Sequence, residues 1–80
     1  MKDLFGDRAT EPGWTEVALE PRVLSRSGLA RAFWDGEMEP DGRRERWVWL
    51  PLAAIRVTEN KDGTATVALP ETLAQEKGLI

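Results

Sequence analysis

The segment over residues 46–52, which reads RWVWLPL, constrains the fold more than any other and holds two of the four tryptophans in the chain. Successive side chains of a β-strand point to opposite faces. Trp47 and Trp49 therefore share one face, and Val48 and Leu50 share the other. Because both faces are apolar, the segment predicts a strand that is buried on both sides or that presents one face to a partner.

The residue that follows this strand limits how far it can extend. Pro51 has no amide N–H, so the strand ends there, lies at a sheet edge or contains a bulge. The strand is expected at the centre of a small sheet, with an acidic loop before it and a crossing turn after it. Five strands are predicted in all. They cover residues 14–19, 29–34, 44–50, 56–59 and 64–69, with a continuation of the first over 22–26 after Pro21.

Turn signals and a helix pattern complete the expected architecture. The Asp62-Gly63 pair between β-branched flanks predicts a hairpin. Pro70 suits the first position of a short helix over residues 70–77. Gly78 suits a left-handed cap that folds Leu79 or Ile80 back onto Leu73 or Ala74. The fold class is therefore α+β and mainly β: about five antiparallel strands, in a sheet or small open barrel, with one short C-terminal helix.

Length limits the domain count, since 80 residues make one domain at most. Residues 1–13 are rich in turn formers and sustain no periodicity, which predicts a loosely ordered lead-in. Residues 14–80 are expected to form a single β-rich domain. No apolar run is long enough to span a membrane, and the N-terminus has no signal-peptide pattern, so a cytoplasmic location is expected.

Composition argues against catalysis and cofactors. The chain has no cysteine and no histidine, which removes the thiolate nucleophile, the commonest general base and the usual zinc ligands. Ser25 and Ser27 have no histidine to activate them. The acidic residues at 35–41 do not have the spacing of an EF-hand calcium loop, and no glycine-rich phosphate cradle is present. We expect no enzymatic activity, no metal and no cofactor.

Charged and aromatic residues that lie close together in the sequence make the candidate binding site. Four carboxylates at residues 35–41 precede three arginines and two tryptophans at residues 43–49. Arginine and tryptophan are the residue types most enriched in protein-binding hot spots. The alternative is internal pairing of these arginines with carboxylates on neighbouring strands. The candidate partner-binding residues are Asp35, Glu37, Glu39, Asp41, Arg43, Arg44, Arg46, Trp47 and Trp49.

A family resemblance covers residues 28–80. It rests on Gly28-Leu29-Ala30, on Trp47-Val48-Trp49-Leu50-Pro51 with Ile55, on Thr66-Val67-Ala68-Leu69-Pro70, on Leu73-Ala74 and on Lys77-Gly78-Leu79-Ile80. This pattern resembles small phage-encoded and prophage-encoded proteins, many of them without an assigned activity. The resemblance implies a phage context, in which small acidic proteins without cofactors are often inhibitors of host defence, anti-CRISPR proteins above all.

Three functions are compatible with these observations. The leading hypothesis is a non-enzymatic, phage-type inhibitor that binds a host defence complex stoichiometrically, with a CRISPR effector as the suspected partner. The second is a nucleic-acid-binding accessory protein of phage replication or recombination, since arginines beside stacking aromatics hold single strands. The third is a homo-oligomeric structural or assembly protein with the tryptophans buried in a two-fold interface. The sequence does not choose between the acidic loop and the Arg/Trp strand as the contact.

Overall fold

The computed structural model describes residues 13–80, and the predicted lead-in over residues 1–13 lies outside this range except for Gly13. The described residues form one five-stranded antiparallel sheet in the order β3-β2-β1-β5-β4. The predicted fold class is confirmed, and the sheet is open. The elements are β1 (Trp14–Leu24), β2 (Ala30–Met38), β3 (Glu45–Pro51), a 3₁₀ turn (Leu52–Ala54), β4 (Arg56–Glu59), β5 (Ala65–Pro70) and α1 (Glu71–Glu76).

The long first strand joins the two halves of the sheet. The N-terminal part of β1 pairs with β5, from Trp14 opposite Pro70 to Leu19 opposite Ala65. Its C-terminal part pairs with β2, from Glu20 opposite Trp34 to Leu24 opposite Arg31, and the register shifts between Pro21 and Leu24. Because proline cannot donate to a ladder, an irregularity at this position is expected. The predicted interruption is therefore a bulge within one continuous strand.

One face of the sheet carries the core. Val17, Val67 and Val57 lie in one row across β1, β5 and β4, and Phe33 lies beside Val48 on β2 and β3. Cross-strand rows of β-branched and aromatic residues are the unit that stabilises a sheet. The fully buried side chains with the largest volumes are Phe33, Leu50, Leu69 and Val67.

The C-terminal helix closes this face. Ala74 is buried in the core cluster, and Leu73 and Leu79 pack against it. Gly78 has φ +76°, the Leu79 N–H donates to the Ala74 carbonyl at 2.8 Å, and the Gly78 N–H donates to the Gln75 carbonyl at 3.1 Å. This hydrogen-bond pattern is a Schellman motif. The predicted left-handed cap and the fold-back of Leu79 onto the helix are confirmed.

Two expectations about the strands are wrong. β3 lies at the edge of the sheet, not at its centre, because the long β1 takes the central position between β2 and β5. The stretch from residue 35 to 42 is also not a single loop, since β2 continues to Met38. Gly36 adopts φ +96° inside a register irregularity between Trp34 and Met38. Glycine tolerates this conformation, and the strand therefore continues through it.

Within residues 13–80, no helix has the length and apolar character needed to cross a lipid bilayer.

Candidate functional site

The two faces of β3 have different environments. Val48 and Leu50 are buried in the core, whereas Trp47 and Trp49 on the opposite face are 39% and 42% exposed. Trp34 lies directly across from Trp47 on β2. We call the surface formed by Trp34, Trp47 and Trp49 the tryptophan face. The helix packs on the other side of the sheet, so no element of residues 13–80 covers the tryptophan face.

A single small residue lies among the three tryptophans. Ala32 is the cross-strand neighbour of Trp49 and lies two residues before Trp34 in β2. Ala32 is fully buried although it is on the outer side of the sheet. We attribute this burial to the larger neighbours of its methyl group, Trp49 across the strand and Trp34 two residues along β2. The tryptophan face therefore places three indoles on one side of two neighbouring strands.

An ion pair between Arg22 and Glu45 borders the tryptophan face, and Glu20 and Trp34 make further contacts with Arg22. Arg22 on β1 donates to Glu45 at the start of β3 through two hydrogen bonds, from Nε to Oε1 at 2.7 Å and from Nη2 to Oε2 at 2.9 Å. The same Nη2 donates to Glu20 Oε1 at 3.2 Å. The Arg22 guanidinium lies 5.2 Å from the centroid of the Trp34 ring. Planar bidentate pairing combined with stacking on an aromatic ring is an arrangement specific to arginine.

The indole N–H groups of two tryptophans are fixed by this framework. Trp47 Nε1 donates to Glu45 Oε1 at 2.8 Å, and Trp34 Nε1 donates to the Glu37 carbonyl at 2.7 Å. Each bond holds the ring in one orientation. Within residues 13–80, the Trp49 indole has no hydrogen-bond partner and keeps its donor available. The site therefore combines two oriented rings with a third that presents an N–H to solvent.

Ionisation of Glu45 is coupled to this geometry. The hydrogen bonds from Arg22 and then from Trp47 stabilise the carboxylate and lower the pKa of Glu45 from 4.5 to about 2. The reciprocal contact with Glu45 raises the pKa of Arg22 above its ordinary value. Arg22 and Glu45 therefore both remain charged at neutral pH. The framework that orients Trp47 is intact under physiological conditions.

The predicted acidic and basic residues largely pair with each other. Arg46 Nη2 donates to Asp35 Oδ2 at 3.3 Å, across β3 and β2. Arg44 Nε donates to Asp41 Oδ2 at 3.3 Å, and Asp41 Oδ1 accepts the Arg43 backbone N–H at 2.9 Å. The internal pairing considered from the sequence is thus present for Arg44 and Arg46.

The nine predicted site residues therefore do not form a single surface in the structure. Arg46 and Asp35 lie on the opposite side of the sheet from Trp47 and Trp49, because alternation along β3 sends Arg46 to the Val48 side. The remaining charged candidates lie at the end of β2 or in the hairpin loop over residues 39–44. They are Glu37, Glu39, Asp41, Arg43 and Arg44. Within residues 13–80, no three acidic side chains are grouped to hold a metal ion.

Four residues of this surface were missing from the predicted set. Trp34 could have been found, since an antiparallel β2–β3 hairpin with Ala32 and Trp34 on one face brings Trp34 beside the other tryptophans. Glu45 shares the parity of Trp47 and Trp49 on β3, which is also a readable signal. Arg22 and Glu20 could not be found. The position of Arg22 depends on the irregularity after Pro21, and that of Glu20 depends on the pairing of β1 with β2 opposite Trp34; no local pattern specifies either.

Comparison of the chain with protein-family models, with curated proteins and with solved structures finds no match.

Proposed function

We propose that this chain is a non-catalytic protein-binding domain and that the tryptophan face is its contact surface. The observation that carries the proposal is the exposure of Trp47 and Trp49 beside an ion pair that fixes the neighbouring groups. Trp47, which its hydrogen bond to Glu45 holds in one orientation, therefore loses little conformational entropy on binding. Tryptophan and arginine are also the residue types that dominate binding energy at protein interfaces.

The exposed indole area is large enough to support binding. A tryptophan side chain presents roughly 250 Å² when fully exposed, so the exposed fractions leave roughly 100 Å² on each of Trp47 and Trp49. At about 25 cal/mol per Å², burying each would contribute roughly 2–3 kcal/mol before the costs of association. Two such anchors at the centre of an interface, with a polar rim, match the usual composition of a hot spot.

Charge favours a protein partner over nucleic acid. Arg44 and Arg46 pair with carboxylates, and Arg22 is held by Glu45 and Glu20 at the border of the tryptophan face. Single-strand binding needs arginines that are available to phosphates next to the stacking rings. The chain is also acidic overall, with a net charge of −3. A nucleic-acid accessory role remains the second proposal and predicts affinity that falls steeply with salt.

For the identity of the partner, we propose a component of a host defence complex, with a CRISPR effector as the first candidate. On this proposal the chain is a phage-type inhibitor that acts stoichiometrically in the host cytoplasm. Its support is the resemblance over residues 28–80 to small phage-encoded proteins, together with the small size and acidic charge of the chain.

The test is capture of partners from a host lysate by the immobilised full-length chain. We expect a protein retained at a fixed ratio to the chain, after nuclease treatment and after a wash at high salt. Hydrophobic contacts survive such a wash, whereas contacts to phosphate are lost. Recovery of nucleic acid alone, released by salt, would support the second proposal and contradict the first.

The acidic segment is the alternative contact surface, and it can be separated from the tryptophan face. Replacing Glu37, Glu39 and Asp41 together by alanine removes three exposed or half-exposed carboxylates. We expect this triple variant to keep its melting temperature within a few degrees, because exposed charges contribute little to stability. It should also capture the same partner as the wild type. Loss of capture in this variant would move the contact to the acidic segment.

A further inference from the structure

The two edge strands of the sheet are protected to different degrees. β4 (Arg56–Glu59) is four residues long, carries a charge at each end and is exposed throughout. β3 (Glu45–Pro51) is seven residues long, and its stretch from Trp47 to Leu50 contains no charged residue. Natural proteins block sheet edges with short strands, charges, bulges or proline. β3 has such features only at its ends, where Glu45, Arg46 and Pro51 lie.

The pairing with β2 determines which backbone groups of β3 point outward. The Leu52 N–H donates to the Leu29 carbonyl at 2.9 Å, which makes this a hydrogen-bonded pair in the β2–β3 register. Antiparallel pairs alternate between hydrogen-bonded and non-hydrogen-bonded. Leu50 and Val48 therefore direct their N–H and C=O groups towards β2. Trp49 and Trp47 direct theirs to the outer edge, where no strand of residues 13–80 pairs with them.

The position of Pro51 at the end of β3 agrees with this assignment of inward and outward backbone groups. Pro51 lies opposite Ala30 in a non-hydrogen-bonded pair, so its missing N–H would also have pointed outward. The outward donors of β3 are thus the N–H groups of Glu45, Trp47 and Trp49. The two central donors and acceptors belong to the two exposed tryptophans. An added strand would meet a regular backbone edge and an aromatic surface at the same residues.

We infer that β3 pairs with β3 of a second copy of this chain, antiparallel and centred on Val48. In this register Trp47 lies opposite the partner's Trp49. By the two-fold symmetry, Trp49 lies opposite the partner's Trp47. Each such pair exchanges both of its outward hydrogen bonds. Val48 lies opposite the partner's Val48 on the core side. The result is a continuous sheet across two subunits with all tryptophans on one side.

The sequence of β3 is suited to pairing with itself in this register. Arg46 lies opposite the partner's Leu50, and Glu45 lies opposite the partner's Pro51, so no like charges face each other. The Glu45 N–H meets the carbonyl of the partner's Pro51, which is an acceptor without a donor. A register centred on Trp49 would form four outward hydrogen bonds instead of six, and one centred on Trp47 would also form six but would leave the Pro51 carbonyl unpaired. An isologous contact of this kind closes as a dimer and leaves no β3 edge exposed.

This inference goes beyond the proposed function and does not depend on it. Edge pairing leaves the tryptophan face open and doubles its area, because both subunits direct their tryptophans to the same side. Dimer formation can therefore fail while a partner still binds one subunit. Equally, the dimer can form in the absence of any partner.

The first test is the mass of the full-length chain by light scattering over a dilution series. We expect twice the chain mass of 9.0 kDa at high concentration, falling to one chain mass on dilution. Chemical synthesis then places a methyl group on the backbone nitrogen of Trp49, which removes one outward donor and keeps the indole. This change should weaken the dimer roughly tenfold or more. A single-chain mass up to about 1 mM would overturn the proposal.

The matched control is backbone methylation at Val57 on the other edge. The Asn60 N–H donates to the Thr64 carbonyl at 2.9 Å, so alternation along β4 directs the Val57 N–H outward too. This control should leave the dimer unchanged. If both methylated chains dimerise as the unmodified chain does, or if only the Val57 methylation disrupts it, pairing through β3 is contradicted.

The second test determines the register between the two β3 strands by disulfide trapping. The chain has no natural cysteine, so introduced cysteines are the only thiols. Facing residues of a non-hydrogen-bonded pair have Cα atoms about 4.5 Å apart, within the range that a disulfide spans. Val48→Cys should therefore form a covalent dimer under mild oxidation. Arg46→Cys should not, because the two copies of residue 46 would lie roughly 13 Å apart along the strands. A dimer that traps through residue 46, or through neither residue, would contradict the register.

Discussion

Exposure separates the aromatic residues of this chain into two roles. Phe33 is fully buried in the core, whereas Trp49 lies on the outer side of the sheet and is 42% exposed. The two side chains are on neighbouring strands and point to opposite faces of the sheet. Removing Phe33 leaves a cavity, but removing Trp49 mainly uncovers Ala32. Stability and binding should therefore respond differently to the two substitutions.

We expect Phe33→Ala to lower the free energy of unfolding by about 3–5 kcal/mol. Trp49→Ala should lower it less, by about 2–3 kcal/mol, because the exposed part of the indole is already in water. Urea unfolding followed by circular dichroism measures both. Equal losses for the two variants would mean that Trp49 is a core residue, and the tryptophan face would then not be a contact surface.

The carboxylate of Glu45 makes the stability of the folded chain decrease at acidic pH. Its pKa is about 2 in the folded chain because Arg22 and Trp47 donate to it, and 4.5 is its ordinary value. The unfolded chain therefore takes up this proton at higher pH than the folded chain does. The stabilisation from ionised Glu45 is complete above about pH 5 and is lost as the pH falls from 4.5 towards 2.

This dependence can be measured against a variant. The difference in unfolding free energy between the wild type and Glu45→Gln should be constant from pH 7 to about pH 5 and should shrink towards pH 2. Glu76→Gln on the exposed side of the helix is the matched control, since Glu76 has no ion pair within residues 13–80. A wild-type advantage over Glu45→Gln that stays constant down to pH 2 would contradict the coupling with Arg22.

Among the elements, β2 depends most on one glycine. Gly36 has φ +96° in the irregularity that lets β2 continue to Met38. This continuation places the Glu37 carbonyl where it accepts the Trp34 indole N–H. A Cβ atom at position 36 would have no atom within 4 Å, so the constraint on this residue is backbone conformation and not space. The orientation of Trp34 therefore depends on a glycine at this position.

We predict that Gly36→Ala destabilises the chain by about 1–3 kcal/mol, because an L-residue is strained at this φ. Hydrogen exchange of the Trp34 indole N–H should also become faster. D-alanine at the same position is the control, since its mirror-image preference accepts a positive φ, and it should restore the stability of the glycine chain or exceed it. A fully stable Gly36→Ala chain would show that the irregularity is dispensable.

Local chemistry allowed most elements to be predicted from the sequence. The Asp62-Gly63 turn, the alternation of Trp47 and Val48, and the Gly78 cap each specify their structure through neighbouring residues. The central position of β1 and the edge position of β3 could not be read in this way, since strand order depends on contacts between residues distant in sequence. The bulge after Pro21 is of the same kind, and with it the pairing of Arg22 with Glu45.

At the scale of the whole molecule, one face of the sheet is buried in the core and the other carries the tryptophan face. The helix and the 3₁₀ turn pack against the core face, where Phe33, Leu50 and Leu69 are fully buried. The opposite face carries the tryptophans and the Arg22–Glu45 pair. A chain of this size buries a limited fraction of its surface. Leaving two indoles partly in water forgoes apolar burial, so we propose that a partner covers them in the bound state.

The most direct test of this account is capture of the partner by two variants that change different surfaces. Trp47→Ala combined with Trp49→Ala removes the exposed anchors, and the acidic triple variant at residues 37, 39 and 41 serves as the control. Circular dichroism first establishes that both variants fold. We predict that the tryptophan variant loses affinity for the captured protein by roughly 30-fold or more, while the control binds as the wild type does. Undiminished capture by the tryptophan variant would contradict the assignment of the tryptophan face as the contact surface.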